Sequence, residues 1–297
     1  MPKNYYNIKT IFLGILFVMI SAFSGSSFDA VTKYISLSSL KWYHYYSIGN
    51  SFSLIIFLIY LFFSSGIKNN ILFKKKRDYI LPVLRGLLFI PIPIIVFYSL
   101  KIVPLNLFST LIATTPFFIY IFSILIQKER ISLKFWLILF VGFLGANLVI
   151  KPSFSSTSLT VLLVMVVVIH NGWTNVIVSK YSHKASTNSF TFYFVFPLTI
   201  LSILLFFIDP IILSYGEILF ICLGGFLVFL SIFFWTAAYH IAGKYSSIIS
   251  PFTFSQILWG SVYGYLFYGE IFDLFSIIGI FLIITSGIIT IINTPKL

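Results

Sequence analysis

Residues Tyr98 to Ile150 read YSLKIVPLNLFSTLIATTPFFIYIFSILIQKERISLKFWLILFVGFLGANLVI. An apolar run opens at Pro104 and closes on the polar turn Gln127-Lys128-Glu129-Arg130, and a second apolar run with Trp136, Gly142 and Gly145 follows. Tyr239 to Ile289 repeats the pattern: YHIAGKYSSIISPFTFSQILWGSVYGYLFYGEIFDLFSIIGIFLIITSGII. Tyr98 and Tyr239 lie 141 residues apart, as do Glu129 and Glu270. Glycines follow each Glu at similar depth, Gly145 after 16 residues and Gly287 after 17. The chain therefore reads as two copies of one unit.

The solvent of this unit is lipid. Mean hydropathy is +1.06 and only 9% of the residues are charged, so the apolar surface is continuous rather than striped. Stretches free of Asp, Glu, Lys and Arg mark ten spans: 10–28, 42–67, 86–100, 102–127, 135–150, 152–179, 185–208, 218–243, 245–269 and 274–295. The third must reach back through Arg85 to about Tyr79, and the fifth begins near Ser132. Backbone amides in lipid must be satisfied within the segment, so the spans are helices. The first run follows Lys3 and Lys9 and has no small-residue cleavage site after it, so it reads as an uncleaved helix. The expected architecture is an all-α integral membrane domain of ten transmembrane helices, five in residues 1–151 and five in 152–297. Five is odd, so the second set enters from the opposite side, which makes an inverted-topology repeat of the kind associated with alternating access. Thr32-Lys33-Tyr34 and Ser179-Lys180-Tyr181, closing the first helix of each half, echo the duplication.

With the N-terminus inside, fourteen of the nineteen lysines and arginines lie on the inner side, among them Lys68, Lys74, Lys128, Lys180 and Lys244. Four (Lys33, Lys41, Lys101 and Lys151) lie outside, and Arg85 sits within a span. That bias predicts both termini cytoplasmic. It also assigns the net charge of +12 to an anionic lipid leaflet rather than to nucleic acid. The single cysteine, Cys222, excludes an internal disulfide and reads as a small buried hydrophobe.

The duplicated set resembles the drug/metabolite transporter superfamily, EamA-like branch. The residues that carry the resemblance are Tyr98, Leu100, Pro104, Pro116, Glu129, Trp136, Gly142 and Gly145, then Tyr239, Pro251, Glu270, Gly279 and Gly287. Leu84-Arg85-Gly86-Leu87-Leu88 and Asp29-x-x-Thr32-Lys33-Tyr34 further resemble S-adenosylmethionine-transporter-like members. The resemblance implies export or import of amino acids or other small metabolites in the inner (plasma) membrane of a bacterium. One departure concerns kinks: Pro116 meets Ile257 at its repeat position, and Pro251 falls earlier in its helix.

A transporter of this architecture holds its substrate near mid-depth. Thr115 maps onto Gln256 by the 141-residue offset, giving both halves a polar residue there. Gln256, Trp259 and Tyr263 share a helical face. The sixth span carries His170, Asn171, Trp173, Thr174 and Asn175. Polar groups at this depth face either a cavity or another helix. His170 could relay protons as a coupling ion or could be a neutral hydrogen-bonding group. Trp235 and Tyr239 read as cavity or as interfacial aromatics, and Trp42 to Tyr46 as an outer aromatic belt. Arg85 snorkels to headgroups, binds a substrate carboxylate or closes an inner gate. Pro91, Pro93, Pro197 and Pro251 should interrupt their helices. The expectation is a cavity walled by spans three, four, six, eight and nine, faced by His170, Trp173, Gln256 and Trp259. Asp29, Glu129, Asp209, Glu217, Glu270 and Asp273 all fall at the ends of the charge-free stretches, so no carboxylate is expected in that cavity.

Nothing suggests enzyme chemistry, a metal site, a cofactor or a nucleotide-binding loop. The leading function is a secondary transporter of a small polar metabolite, an amino acid or derivative. S-adenosylmethionine-like import or exchange is the alternative, and a non-translocating receptor or scaffold stands outside both.

Overall fold

A computed structural model describes residues 8–63, 66–72, 76–150, 158–271 and 274–293. All of the regular structure in these residues is helical. Lys3, Lys74, Lys75, Lys151, Asp273 and Lys296 lie outside the described residues.

Helix α1 (Ile8–Ser36) and α2 (Trp42–Phe63) lead to a short α3 (Ile67–Ile71). The third span is two helices, α4 (Ile80–Phe89) and α5 (Pro91–Ile102). The fourth is α6 (Leu105–Ala113) and α7 (Thr115–Phe122), ending in a π-helical turn, Ser123–Gln127. Then come α8 (Leu133–Ile150), α9 (Ser158–Lys180), α10 (Thr187–Ile208) and α11 (Tyr215–Ala242). After a 3-10 turn, α12 (Ser246–Ile249), a second 3-10 segment (Ser250–Phe254) and α13 (Ser255–Tyr268) make one broken segment, and α14 (Leu274–Asn293) closes the described chain. Seven of these elements or composites are long and apolar enough to cross a membrane by themselves. Their outer surfaces carry exposed Phe12, Ile59, Leu162 and Leu204, while Ser21, Thr110, Asn175 and Thr236 are buried. That inside-out distribution is what lipid selects, because a polar group facing hydrocarbon has no partner.

Three expectations change. The first helix runs eight residues past 28, so Asp29, Thr32 and Lys33 lie within it. Charge-free stretches locate helix ends only where charge meets lipid; here Asp29 and Lys33 meet protein. Pro91 does begin a new helix after a break at Ile90, but Pro197 lies inside an unbroken α10. Its missing N–H releases the Tyr193 carbonyl from the helix ladder. Gly86 of α4 lies against that carbonyl so closely that an added Cβ would sit 1.9 Å from the oxygen. Third, Trp42 to Tyr46 is not a belt. His44, Tyr45 and Tyr46 are buried, with Tyr45 Oη 3.0 Å from Thr32 Oγ1 and Tyr46 Oη donating to the Pro93 carbonyl at 3.2 Å. Cys222 is half-buried and free.

The 141-residue offset recurs in the backbone. Lys128 and Gly269 both take left-handed φ, 58° and 66°. Glu129 N–H donates to Ser123 O at 3.1 Å, and Glu270 N–H to Gly264 O at 3.0 Å. Each Glu then reaches the start of the other broken segment. The Glu270 carboxylate accepts from Leu105 N–H (2.8 Å) and Asn106 N–H (3.1 Å) at the start of α6. The Glu129 carboxylate accepts from Ser246 Oγ (3.0 Å) at the start of α12. At α6 the Glu270 carboxylate satisfies orphan amides and meets the positive end of the helix dipole.

Candidate functional site

Breaks in helices expose backbone and side-chain polarity that only protein or a cavity can tolerate. Beside the breaks at Ile90 and Thr114 lies a cavity of about 140 Å³, lined there by Ile92, Pro93 and Ile112. Its walls come from α1, α2, α4, α5, α6, α9, α10, α11 and α13.

One wall carries an acid. Asp29 is buried and accepts a 3.1 Å bond from Gln256 Nε2. The Gln256 carbonyl in turn accepts from Ser26 Oγ at 2.8 Å, tying α13 to α1. Another wall carries a base. Arg85 is buried, its Nε donating to Thr174 Oγ1 and its Nη1 to the Phe190 carbonyl at 3.1 Å. Its guanidinium lies 3.9 Å from the centre of the Phe194 ring, which stacks on Phe89 at 3.9 Å. Among the described residues neither Asp29 nor Arg85 has an oppositely charged protein partner; the ion pairs are Lys33–Glu270, Lys41–Asp209 and His44–Asp209. Asn175, beside Arg85 on the lining, is 1% exposed, and both of its amide atoms lack partners among the described residues. The Thr236 hydroxyl, also on the lining, is unpartnered as well. Buried polar atoms without partners are rare enough to need a reason, and a ligand is one. Phe28, Phe89, Phe108, Phe194 and Trp235 make the apolar part.

Of the residues singled out from sequence, Arg85, Asn171, Asn175, Trp235 and Gln256 line the cavity together. The other six do not. His170 stands behind the wall, its ring 6.0 Å from Phe89 and 6.2 Å from Phe194, with both nitrogens unpartnered. Trp173 packs beside it at 6.1 Å. Thr115 turns its hydroxyl back to the Ile112 carbonyl, the local bond that a threonine in a helix finds at no tertiary cost. Trp259 is 38% exposed and edge-on to Phe23 at 4.9 Å, and Tyr263 shares a 2.8 Å hydrogen bond with Ser27 Oγ. Tyr239 is fully buried one turn beyond Trp235, in the core with Val18 and Ile119. Gln256, Trp259 and Tyr263 do share one face, but it packs along α1, at Asp29, Phe23 and Ser27, and only Gln256 reaches the cavity. Arg85 does not snorkel. Asp29, Tyr46, Asn50, Thr174, Ser231 and Thr236 also line the cavity. Asp29 was concealed by the assumed helix end, although an acid three residues before Thr32-Lys33 on a continuing helix was the available signal.

Comparison with known proteins fits this arrangement. Residues 12–151 match the EamA-like transporter family. The chain is 28% identical, over 65% of its length and 68% of the relative's, to the pseudopaline exporter CntI of Pseudomonas aeruginosa. It is 25% identical to the S-adenosylmethionine uptake transporter of Rickettsia prowazekii, covering 97% of this chain and 96% of that one. The Rickettsia felis transporter of the same name is 23% identical over 97% and 96%. A crystal structure 12% identical in sequence shares the fold, with a TM-score of 0.72 over 95% of this chain and 98% of that one. The chain is a multi-pass membrane protein whose residues 12–151, just under half of its length, match the EamA-like transporter family, and which resembles proteins named as transporters over 97% of its length.

Proposed function

We propose that the chain is a secondary transporter that carries a small amino-acid-like metabolite by alternating access. In this reading it crosses the bacterial inner membrane ten times as two inverted five-helix repeats, 1–151 and 152–297, with both termini cytoplasmic. The matched left-handed residues Lys128 and Gly269 and the exchanged Glu129 and Glu270 caps support the repeat. The lysine and arginine bias supports the orientation.

The observation that carries the substrate class is the pair of opposite charges left unmatched on one cavity. Isolating a buried charge costs several kcal/mol, roughly, unless a counter-charge meets it. A molecule bearing both an ammonium and a carboxylate meets both at once. Arg85 takes the carboxylate, its planar fork held by Thr174, Phe190 and Phe194. Asp29, oriented by Gln256, takes the ammonium and is the carboxyl that exchanges a proton if the cycle is proton-coupled. Asn171 and Asn175 supply amide contacts, and the phenylalanines with Trp235 hold the side chain. His170 has no part in this reading.

S-adenosylmethionine is a specific instance, favoured by relatives of that name that match nearly the whole chain. It carries the ammonium and carboxylate, a sulfonium that aromatic rings attract, and a flat base. Counterflow of labelled S-adenosylmethionine in proteoliposomes, against a panel of amino acids and the matching 2-oxo acids, tests both readings. Exchange of one or more amino acids but no 2-oxo acid is expected. Exchange of 2-oxo acids as fast as amino acids would refute the zwitterion assignment, and absence of any flux would refute transport of this class.

A further inference from the structure

At the end of the bundle that holds Glu270, four groups close on one another. Lys33 Nζ of α1 donates to the Val103 carbonyl at 2.8 Å and stands 3.8 Å from Glu270 Oε1. It also lies 5.1 Å from the centre of the Tyr268 ring. Tyr268 Oη donates back to the Ala30 carbonyl of α1. The Lys33 and Glu270 side chains are 13% and 15% exposed. This knot locks α1 to the start of α6 and the end of α13.

The same positions exist at the other end. The 141-residue offset sends Val103 to Lys244, Tyr268 to Gln127 and Glu270 to Glu129, and the Thr-Lys-Tyr and Ser-Lys-Tyr echo sends Lys33 to Lys180. There, however, Gln127, Lys180 and Lys244 line an open cleft of about 420 Å³. The Lys180 ammonium is exposed, bonded to the Ile126 carbonyl at 2.9 Å and beside the Tyr181 ring. So one set of residues is packed shut, while Gln127, Lys180 and Lys244 of the other stand around an open cleft.

We propose that these two lysines are the residues that fasten the two gates: Lys33 closes the Glu270 end in the conformation seen here, and Lys180 swings in to the Lys244 carbonyl and the Glu129 carboxylate to close the other end in the opposite conformation. The inference rests on the alternating-access reading. It follows from pseudo-symmetry: if two ends of one fold take turns being closed, the contacts closing the second are those of the first carried through the repeat. Both fastenings hold a cation on a helix carboxylate and a backbone carbonyl, so neither needs a new group, only a movement of the α9 end toward the start of α12.

The test uses the full chain with Cys222→Ser and one reporter, Val228→Cys, on the cavity wall. A membrane-impermeant maleimide is applied from each side, in right-side-out and in inverted vesicles, without substrate and during counterflow. Removing a fastening destabilises the conformation it closes. Lys33→Ala should therefore raise labelling from the Glu270 side, and Lys180→Ala should lower it, each by about fivefold or more, while the double variant returns toward the parent. A shift equivalent to 1–2 kcal/mol corresponds to roughly 5–30-fold in such a ratio. The proposal is overturned if Lys180→Ala leaves both rates within twofold of the parent, or shifts them in the same direction as Lys33→Ala. Labelling of the parent from one side only, even during counterflow, would instead overturn alternating access itself. If Val228→Cys does not transport, Ser231→Cys on the same wall replaces it as reporter.

Discussion

Asp29→Asn separates charge from shape at the site. Asn keeps an oxygen in place to accept from Gln256 Nε2, now 3.1 Å from Asp29 Oδ2, and occupies the same volume, so the α1–α13 contact survives. What is lost is the charge facing the ammonium. A hydrogen bond to a charged group contributes about 1.5–3 kcal/mol against roughly 0.5–1.5 for a neutral one. The difference, about 1–2 kcal/mol, is a floor, because the ammonium would also lie desolvated without a counter-charge. Affinity should fall about 5- to 30-fold or more. Calorimetric binding in detergent, with the amino acid found by counterflow and its 2-oxo acid, measures this directly. Loss is expected for the amino acid alone, with the melting temperature unchanged or raised. Equal loss for both ligands, or less than twofold loss for the amino acid, would refute the role given to Asp29.

Three further outcomes test the framework around the site. Lys128 and Gly269 occupy matching left-handed turns, and a Cβ on Gly269 would meet nothing within 4 Å, so only backbone preference is at stake there; thermal unfolding should show Gly269→Ala destabilising by up to about 1 kcal/mol and Lys128→Gly neutral or mildly stabilising. A Cβ on Gly225 would lie 2.1 Å from the Gly49 carbonyl oxygen, forcing α2 and α11 apart, so Gly225→Ala should cost about 1–3 kcal/mol or more, read as a lost monodisperse peak on size exclusion after mild heating. At the α10 end, hydrogen bonds from Lys41 and Tyr43 hold the Asp209 carboxyl below its usual range. A depressed carboxyl gives stability that is present above its unfolded value near about 3.9 and is lost as pH falls through the folded one. Melting temperatures below about pH 4 should therefore fall more steeply in the parent than in Asp209→Asn.

The sequence by itself determined the solvent and the helical class, because both are written in composition that no packing can alter, and it carried the 141-residue spacing of matching residues and the family resemblance. Hydrocarbon leaves the backbone only helices here, and a repeated Glu after a repeated apolar run survives any arrangement of the helices. Tertiary structure decided which polar residues share a space. His170 and Asn171 are neighbours in the chain, yet one helix places Asn171 on the cavity and His170 behind Phe89 and Phe194. Asp29 looked like the end of a span because a charge against lipid would be one; it lies within a helix because Gln256, from 227 residues away, is there to bond it. Depth along a span can be counted from a sequence, but the direction a residue faces depends on helix rotation, and rotation is set by partners such as Ser26, Thr174 and Gly86 that only the folded chain brings into contact.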